Sequence, residues 1–100
     1  MRYHKYKEWC HMDSLMLYNL IKIIKRDSKA EFLKELLKHS FTDLYKCHYN
    51  YGMWIRNNYL YNNYKVYTFF NNIGITDMDE ISMLLIQLLY IDLKYHDKTD

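Results

Sequence analysis

Apolar residues recur along most of this chain at intervals of three and four positions, the spacing that gathers them on one face of an α-helix. The first such stretch follows Asp13 or Ser14, either of which can cap a helix that ends near Arg26 and Asp27. Its expected apolar face consists of Met16, Leu17, Leu20, Ile21, Ile23 and Ile24. Strand-like alternation is confined to residues 64–69, so the pattern predicts helices throughout.

Two further helices are predicted from their start signals. Ser28 and Glu31 match the capping box S-x-x-E and favour a second helix, whose apolar residues are Phe32, Leu33, Leu36 and Leu37. Thr42 can cap a third helix over residues 43–58, with Leu44, Cys47, His48, Tyr51 and Ile55 on one face. Gly52 lies inside this third helix, where a glycine costs roughly 1 kcal/mol relative to alanine. It indicates the close approach of another element or a local break.

The last part of the chain predicts a turn and two more helices. Residues 60–63 form the turn, and a short fourth helix carries Tyr64, Val66, Tyr67, Phe69, Phe70 and Ile73. Gly74 is placed to end it in the left-handed conformation. Thr76 with Asp79 is a capping pair for a fifth helix over residues 79–95, which is apolar nearly all round and is therefore expected to be buried.

These elements predict one all-α domain of four to five helices around a buried C-terminal helix, spanning residues 1–100. Residues 1–12 are expected to fray, and residues 96–100 to form a polar tail. The length of 100 residues matches the size of one domain. The absence of proline and the presence of only two glycines exclude collagen-like, linker-like and disordered classes of protein.

Charge and apolar runs bear on location and partners. The formal net charge is +2, and residues 1–12 contain no apolar segment typical of a secretory signal. The longest apolar run, residues 81–91, is too short to span a bilayer. We therefore expect a cytoplasmic protein, without a membrane partner, in which Cys10 and Cys47 are reduced, although the alternative that they pair stays open.

Metal binding and catalysis have little support. Cys10-His11 and Cys47-His48 repeat a Cys-His pair, but adjacent helical residues diverge by about 100° and cannot easily face one ion. A thiolate at Cys47 is disfavoured because it lies on an apolar face, and no phosphate-binding, hydrolase or dinucleotide motif is present. We expect no metal, no cofactor and no enzymatic activity.

Basic residues raise the question of nucleic acid. The first fifty residues carry ten Lys and Arg against six Asp and Glu, whereas the second fifty carry four against six. Lys22, Lys25, Arg26 and Lys29 lie at helical spacing and could hold a phosphate backbone. A solvated helix face explains them as well, so nucleic acid is not the expected partner.

Residues 51–61 carry the strongest binding signal. They combine a glycine with six candidate partner-binding residues: Trp54, Arg56, Asn57, Asn58, Tyr59 and Tyr61. Trp, Tyr and Arg are the residues most enriched among binding hot spots. A structural alternative is equally physical, with Trp54 in the core and the Arg and Asn side chains joining the helix end to the following turn.

The same segment resembles an uncharacterised bacterial family of small helical proteins. Its pattern reads H-x-x-x-G-x-W-I-R-N-x-(W/Y), then F-x-x-x-G-I and D-(D/E)-(M/I)-S. The matching residues are His48, Gly52, Trp54, Ile55, Arg56, Asn57, Tyr59, Phe70, Gly74, Ile75, Asp79, Glu80, Ile81 and Ser82. The resemblance covers residues 43–93 and implies a small bacterial helical domain without an assigned reaction. The chain departs from the family pattern at two places. At residues 60–63 the family has Leu-Trp followed by a Ser, and at residues 76–78 it has His-Pro before the acidic pair.

Three functions fit these observations. The first is an immunity protein that neutralises a contact-dependent or interbacterial toxin by direct binding. Lys, Ile, Asn, Tyr and Phe, all encoded by AT-rich codons, suggest a mobile locus, and the acidic residues Asp77, Asp79 and Glu80 could oppose a basic toxin surface. The second is a housekeeping adaptor or anion-binding module that uses residues 52–61, with Arg56 as its anchor. The third is a nucleic-acid-binding regulator.

Overall fold

The chain is helical in the computed structural model, which describes the backbone of residues 2–95 and the side chains of residues 15–95. The helices are α1 (Arg2–Asp27), α2 (Ala30–Lys38), α3 (residues 41–60), α4 (Tyr64–Asn72) and α5 (Met78–Tyr95). None of the described residues lies in a strand, which confirms the all-α class. The predicted polar tail at residues 96–100 falls outside the described part of the chain.

The C-terminal helix α5 is the centre of the fold, as predicted. Helices α1, α2 and α3 all pack against it, and α4 packs against the end of α3. The side of α5 that faces them buries Ile81, Ser82, Leu85, Ile86, Leu89, Tyr90 and Leu93. The opposite side differs from the expectation, because Leu88 and Ile91 remain exposed. Although α5 has apolar residues on nearly every side, only the side that faces the other helices is buried.

Helix α1 is longer than the sequence pattern predicts. It begins at Arg2 rather than after Asp13 or Ser14, so the predicted cap at those residues is wrong. Residues 2–12, which were expected to fray, have helical backbone. They contain neither proline nor glycine, and ordinary residues differ in helix propensity by less than about 0.7 kcal/mol. No local signal is therefore strong enough to end the helix where a capping residue happens to stand.

Ser28 does not form the predicted capping box. Its amide donates to Ile24 O at 3.0 Å, which keeps Ser28 on the last turn of α1. Its hydroxyl donates to the same carbonyl at 2.6 Å and also contacts the hydroxyl of Tyr51. Lys29 is the residue that precedes α2, and it makes no side-chain cap. The hydroxyl of Ser28 thus joins α1 to α3 instead of starting α2.

Polar side chains and a glycine delimit α4 and α5. Asn63 Oδ1 accepts from Val66 N at 3.3 Å and caps α4. Gly74 has φ of +93°, which confirms the predicted left-handed end of α4. Asp77, rather than Thr76, caps α5, since its Oδ1 accepts from Asp79 N at 3.2 Å. Asp79 is thereby left free of a capping role.

Helix α3 is irregular, which the sequence pattern did not predict. A 3₁₀ stretch (Phe41–Cys47) leads into a π-helical turn (His48–Gly52), a short α-helical stretch (Met53–Ile55) and a second π-helical turn (Arg56–Leu60). The helix starts at Phe41, so the predicted cap at Thr42 is wrong, and Ser40 precedes the helix without a side-chain cap. The predicted inner face is correct, because Leu44, Cys47, Tyr51 and Ile55 are buried and His48 is half-buried.

Candidate functional site

The guanidinium of Arg56 is the centre of a polar network between α3 and the first turns of α5. We call this set of residues, His48, Gly52, Arg56, Asp79 and Ser82, the Arg56 network. Arg56 is only 5% exposed. Its Nη1 donates to Ser82 Oγ at 2.9 Å and its Nη2 donates to His48 O at 3.4 Å. Its Nε lies 3.4 Å from Asp79 Oδ1. The charged group is therefore partnered by the chain itself on three sides.

Asp79 and Ser82 are the two residues of α5 that contact the Arg56 guanidinium. Ser82 Oγ donates to Asp79 O at 2.9 Å and accepts from Arg56, so both functions of the buried hydroxyl are used. The Asp79 carboxylate also lies 3.8 Å from His48 Nε2. Its side chain is 55% exposed, so solvent screens its attraction for the Arg56 guanidinium. The network is thus buried at Arg56 and open to solvent at Asp79.

Gly52 makes room for the network. A Cβ at this position would lie 3.1 Å from Arg56 Nη1 and 3.7 Å from Ser82 Oγ. His48, Gly52 and Arg56 are four residues apart and line the same side of α3. Both explanations predicted for this glycine have a counterpart: Ser82 of α5 approaches it, behind the Arg56 guanidinium of the same helix, and Gly52 ends a π-helical turn that interrupts the regular winding.

Trp54 and Tyr59 belong to an aromatic cluster at the other side of α3. The Trp54 ring stacks on Tyr51 at 5.6 Å and 8°, and meets Tyr59 edge-on at 5.4 Å. Tyr51 also contacts Phe32 of α2 at 5.8 Å. Burial raises the pKa of Tyr51 to about 12, despite its hydrogen bond with Ser28. Tyr59 OH donates to Asp27 Oδ2 at 2.7 Å, so this cluster ties α3 to the end of α1.

The other predicted site residues lie at the surface. Asn57 and Asn58 are exposed, and Asn58 Nδ2 donates to Trp54 O at 2.8 Å. Tyr61, Asp77 and Glu80 are exposed as well. Trp54 packs in the aromatic cluster, in line with the structural alternative. Arg56 reaches α5 and Asn58 donates to its own helix, so their side chains do not make the predicted connection to the following turn. The role of these residues in binding a partner, like that of Tyr59 and of the exposed residues, stays a prediction.

A row of exposed side chains follows the outer side of α3, and sequence reasoning identified only part of it. Tyr45, Tyr49, Met53 and Tyr61 are exposed and stand at multiples of four residues, with the exposed Asn57 completing the row. We call these five residues the α3 outer stripe. Phe41 is exposed as well, but four residues of the 3₁₀ stretch turn it about 120° from Tyr45, and its ring lies 6.2 Å from that of Tyr90 on α5. In a regular α-helix, side chains four residues apart drift by about 40° at each step and would not share one face over 16 positions. The wider π-helical turns offset this drift.

The stripe adjoins a groove between α3 and α5. The Tyr49 ring lies 4.8 Å from the His48 ring, and His48 lines one wall of the groove. The groove encloses about 450 Å³, and its other lining residues are Asp79, Glu80, Met83, Leu84 and Gln87. An aromatic surface therefore continues into a concave surface that carries two carboxylates.

Other chemistry suggested by the sequence has less geometric support. Cys47 has a free, buried thiol whose pKa is raised, first by burial and then by the charge of Glu35. A thiol in this environment is a poor nucleophile. The side chain of Cys10 falls outside the described residues. Within residues 15–95 there is no group of three His, Cys, Asp or Glu residues that could hold a metal ion.

The basic face of α1 is partly neutralised. Lys25 Nζ lies 3.5 Å from Asp92 Oδ2, and Arg26 Nε lies 3.0 Å from Asp27 Oδ1. Lys22 lies over the Tyr18 ring, 4.9 Å from its centroid. These contacts are those expected of a solvated helix face and reduce the charge available to a phosphate backbone.

Comparisons with known proteins give a family. No curated protein and no solved structure was found to match the chain. None of the helices in the described part of the chain is long and apolar enough to cross a membrane. A family model matches residues 16–93, a range that includes every residue of the Arg56 network and of the α3 outer stripe. The bacterial origin and the motif given for the resembling family stay predictions. The chain belongs to the family described as a domain of unknown function (DUF6794).

Proposed function

We propose that this chain is a protein-binding domain and that it acts as an immunity protein, which neutralises a bacterial toxin by direct binding. The observation that carries the proposal is the α3 outer stripe. Four large apolar side chains are exposed along it, three of them tyrosines. Exposed apolar patches mark interaction sites, and Tyr and Met are enriched at protein interfaces.

The scaffold suits such a role. The Arg56 network holds α3 against α5, and the hydrogen bond from Tyr59 to Asp27 holds it against α1. A binding surface on a helix fixed in this way loses little freedom when a partner binds, which favours affinity. Glu80 and Asp79 in the adjoining groove add negative charge at one edge of the stripe. That charge is complementary to the basic surface of a nuclease-type toxin.

The alternative functions have less support from the geometry. An anion-binding adaptor needs the Arg56 guanidinium, which is already engaged by Ser82, His48 and Asp79. A nucleic-acid-binding regulator needs the basic face of α1, where Lys25 and Arg26 have acidic neighbours.

The test combines identification of the partner with variants of the stripe. The chain is used as bait in a lysate of its source strain, and a toxin domain encoded by the adjacent gene is the expected partner. With purified partner, Tyr45→Ala and Tyr49→Ala together should weaken binding about thirtyfold or more, which is the effect of a hot spot of about 2 kcal/mol. Tyr18→Ala, which removes an exposed tyrosine from α1, is the matched control and should bind normally.

The immunity function has its own readout. Cells that express the toxin domain should survive when they also express the wild-type chain, and they should die with the double tyrosine variant. Failure to find a partner from the neighbouring gene, or survival that does not depend on the chain, would overturn the proposal. Equal binding by the double variant and by Tyr18→Ala would overturn the assignment of the α3 outer stripe.

A further inference from the structure

Helix α5 has a second apolar surface, on the side that faces away from the core. It comprises Leu84, Leu88, Ile91 and Tyr95, spaced four, three and four residues apart, and we call it the α5 seam. Leu88 is 36% exposed, Ile91 40% and Tyr95 66%, while Leu84 is half-buried. This spacing is that of the apolar positions through which two helices pack side by side. The seam thus has the pattern of a helix–helix interface. Leu84 borders the groove beside α3, whereas Leu88, Ile91 and Tyr95 are exposed.

The charges beside the seam indicate what covers it. Glu80, Gln87 and Lys94 are seven residues apart, so they follow one flank of the seam at its start, middle and end. The Lys94 amine lies on the surface, where it donates to Tyr90 OH at 2.9 Å. The flank therefore carries opposite charges at its two ends and an uncharged amide halfway between them.

This order makes the seam complementary to itself. When two copies of α5 lie antiparallel about a two-fold axis near Gln87, Glu80 of each copy faces Lys94 of the other. In an antiparallel pair the residues on the same flank face each other, so both ends gain a contact between unlike charges. The opposed helix dipoles also attract. A parallel arrangement would instead bring the acidic N-termini of the two helices together.

We propose that the α5 seam binds a second copy of this chain and forms an antiparallel, two-fold symmetric dimer. The seam runs along one helix of 18 residues, or about 27 Å. An interface of this extent is at the small end of the range for specific complexes. The dimer therefore dissociates on dilution. Self-association of this kind goes beyond the proposed function, because it uses a different helix face from the α3 outer stripe.

The first measurement is the mass of the purified full-length chain over a range of concentrations, by sedimentation equilibrium. We expect the mass to rise from that of a monomer towards twice that value. Leu88→Glu should keep the chain monomeric at every concentration, because it places two like charges at the centre of the seam. Leu37→Glu is the matched control: Leu37 is 40% exposed on α2, and its substitution should leave the association unchanged.

A charge exchange tests the antiparallel arrangement. Glu80→Lys and Lys94→Glu should each weaken dimerisation roughly tenfold, because each brings like charges together at both ends. The two substitutions in one chain should restore dimerisation. Circular dichroism of each variant verifies the fold. A wild-type chain that stays monomeric at all concentrations would overturn the dimer, and a double variant no better than the single ones would overturn its orientation.

The two proposals fail separately. The substitutions at Tyr45 and Tyr49 leave the seam intact, and Leu88→Glu leaves the α3 outer stripe and its groove intact. Glu80 belongs to the groove as well as to the flank of the seam, so Leu88→Glu rather than Glu80→Lys separates the two proposals. A chain that dimerises but finds no toxin contradicts only the proposed function. A chain that stays monomeric and binds a toxin contradicts only the inference about α5.

Discussion

The backbone of Gly52 lies against the guanidinium of Arg56, so that a methyl group at position 52 would come within 3.1 Å of Nη1. Contacts this short require one of the two groups to move. Arg56 has little freedom to do so, because it is buried and its Nη1 also donates to Ser82. The glycine and the arginine therefore depend on each other, four residues apart on the same helix.

This dependence predicts that the effect of Gly52→Ala on the free energy of unfolding changes sign when Arg56 is removed, which a double-mutant cycle measures. Gly52→Ala should destabilise the wild-type chain by about 1–2 kcal/mol, because the new methyl group displaces the guanidinium from its hydrogen bonds. In an Arg56→Ala background the obstacle is gone, and the same substitution should stabilise by up to about 1 kcal/mol, the advantage of alanine over glycine in a helix. Urea unfolding of the four chains measures both values. Equal destabilisation in the two backgrounds would show that Gly52 serves another purpose.

Trp54→Ala should lower the free energy of unfolding by about 2–3 kcal/mol, somewhat less than for a fully buried tryptophan. Trp54 is half-buried, and its ring packs on both Tyr51 and Tyr59. Tyr49→Ala is the control on the same helix. Tyr49 is 76% exposed, and its loss should change stability by no more than about 0.5 kcal/mol. Thermal and urea unfolding of both variants give the comparison, and an unchanged midpoint for Trp54→Ala would place Trp54 among binding residues instead.

The contact between Tyr59 and Asp27 predicts that the stability of the fold falls at acid pH. The hydrogen bond from Tyr59, followed by that from Arg26, holds the pKa of Asp27 below its ordinary value of 3.8. A carboxyl group with a lowered pKa stabilises the fold above that ordinary value, and the contribution disappears as the pH falls through the lowered pKa. Tyr59→Phe should raise the pKa of Asp27 towards 3.8, since it removes the largest cause.

Carboxyl-carbon NMR titration of the wild type and of Tyr59→Phe measures the pKa of Asp27 directly. Tyr49→Phe, which removes a hydroxyl from an exposed tyrosine elsewhere on α3, serves as the control and should leave the pKa of Asp27 unchanged. A pKa of Asp27 that is the same in the wild type and in Tyr59→Phe would contradict the role assigned to this hydrogen bond.

Cys47 should react slowly with thiol reagents in the folded chain. Its thiol is buried, and burial raises its pKa, so little thiolate is exposed to the reagent at neutral pH. The Cys10→Ser variant isolates Cys47, and labelling is followed with and without urea. We expect labelling in the native state to be limited by opening of the fold. Equally fast labelling in both conditions would show that Cys47 is accessible.

The inner face of α3 could be predicted from the sequence, and so could the residue that ends α4. The apolar sets predicted for α1, α2 and α4 were wrong in part, because they include side chains that are exposed: Ile23, Phe32, Leu37, Tyr64 and Ile73. Leu44, Tyr51 and Ile55 are buried as the apolar spacing predicts. Gly74 has the positive φ that a helix end favours. Both features follow from local chemistry, the period of apolar residues and the missing Cβ of glycine. The start signals were less dependable, because Ser28 and Thr42 offer a cap but do not decide where a helix begins.

The candidate surfaces could be predicted only in part. Asn57 and Tyr61 were identified and lie on the α3 outer stripe, whereas Tyr45, Tyr49 and Met53 were missed. These side chains share a face only because α3 contains π-helical turns. With a regular α-helical period, residues four apart would turn progressively away from one another. The apolar residues of α5 were recognised, but a continuous apolar helix gives no indication of which side stays exposed.

The sequence by itself determined that this chain is helical, which residues could be buried, and that Gly52 marks either a close approach or a local break. Those properties reside in periodicity and in the chemistry of single residues. Only the tertiary structure decided that Arg56 points inward, because a guanidinium is stable in the interior only when its donors are satisfied. Its partners Ser82 and Asp79 are supplied by α5, and Ser82 lies 26 residues further along the chain. Only the folded chain also shows the π-helical winding of α3, which decides which of its side chains share an exposed face.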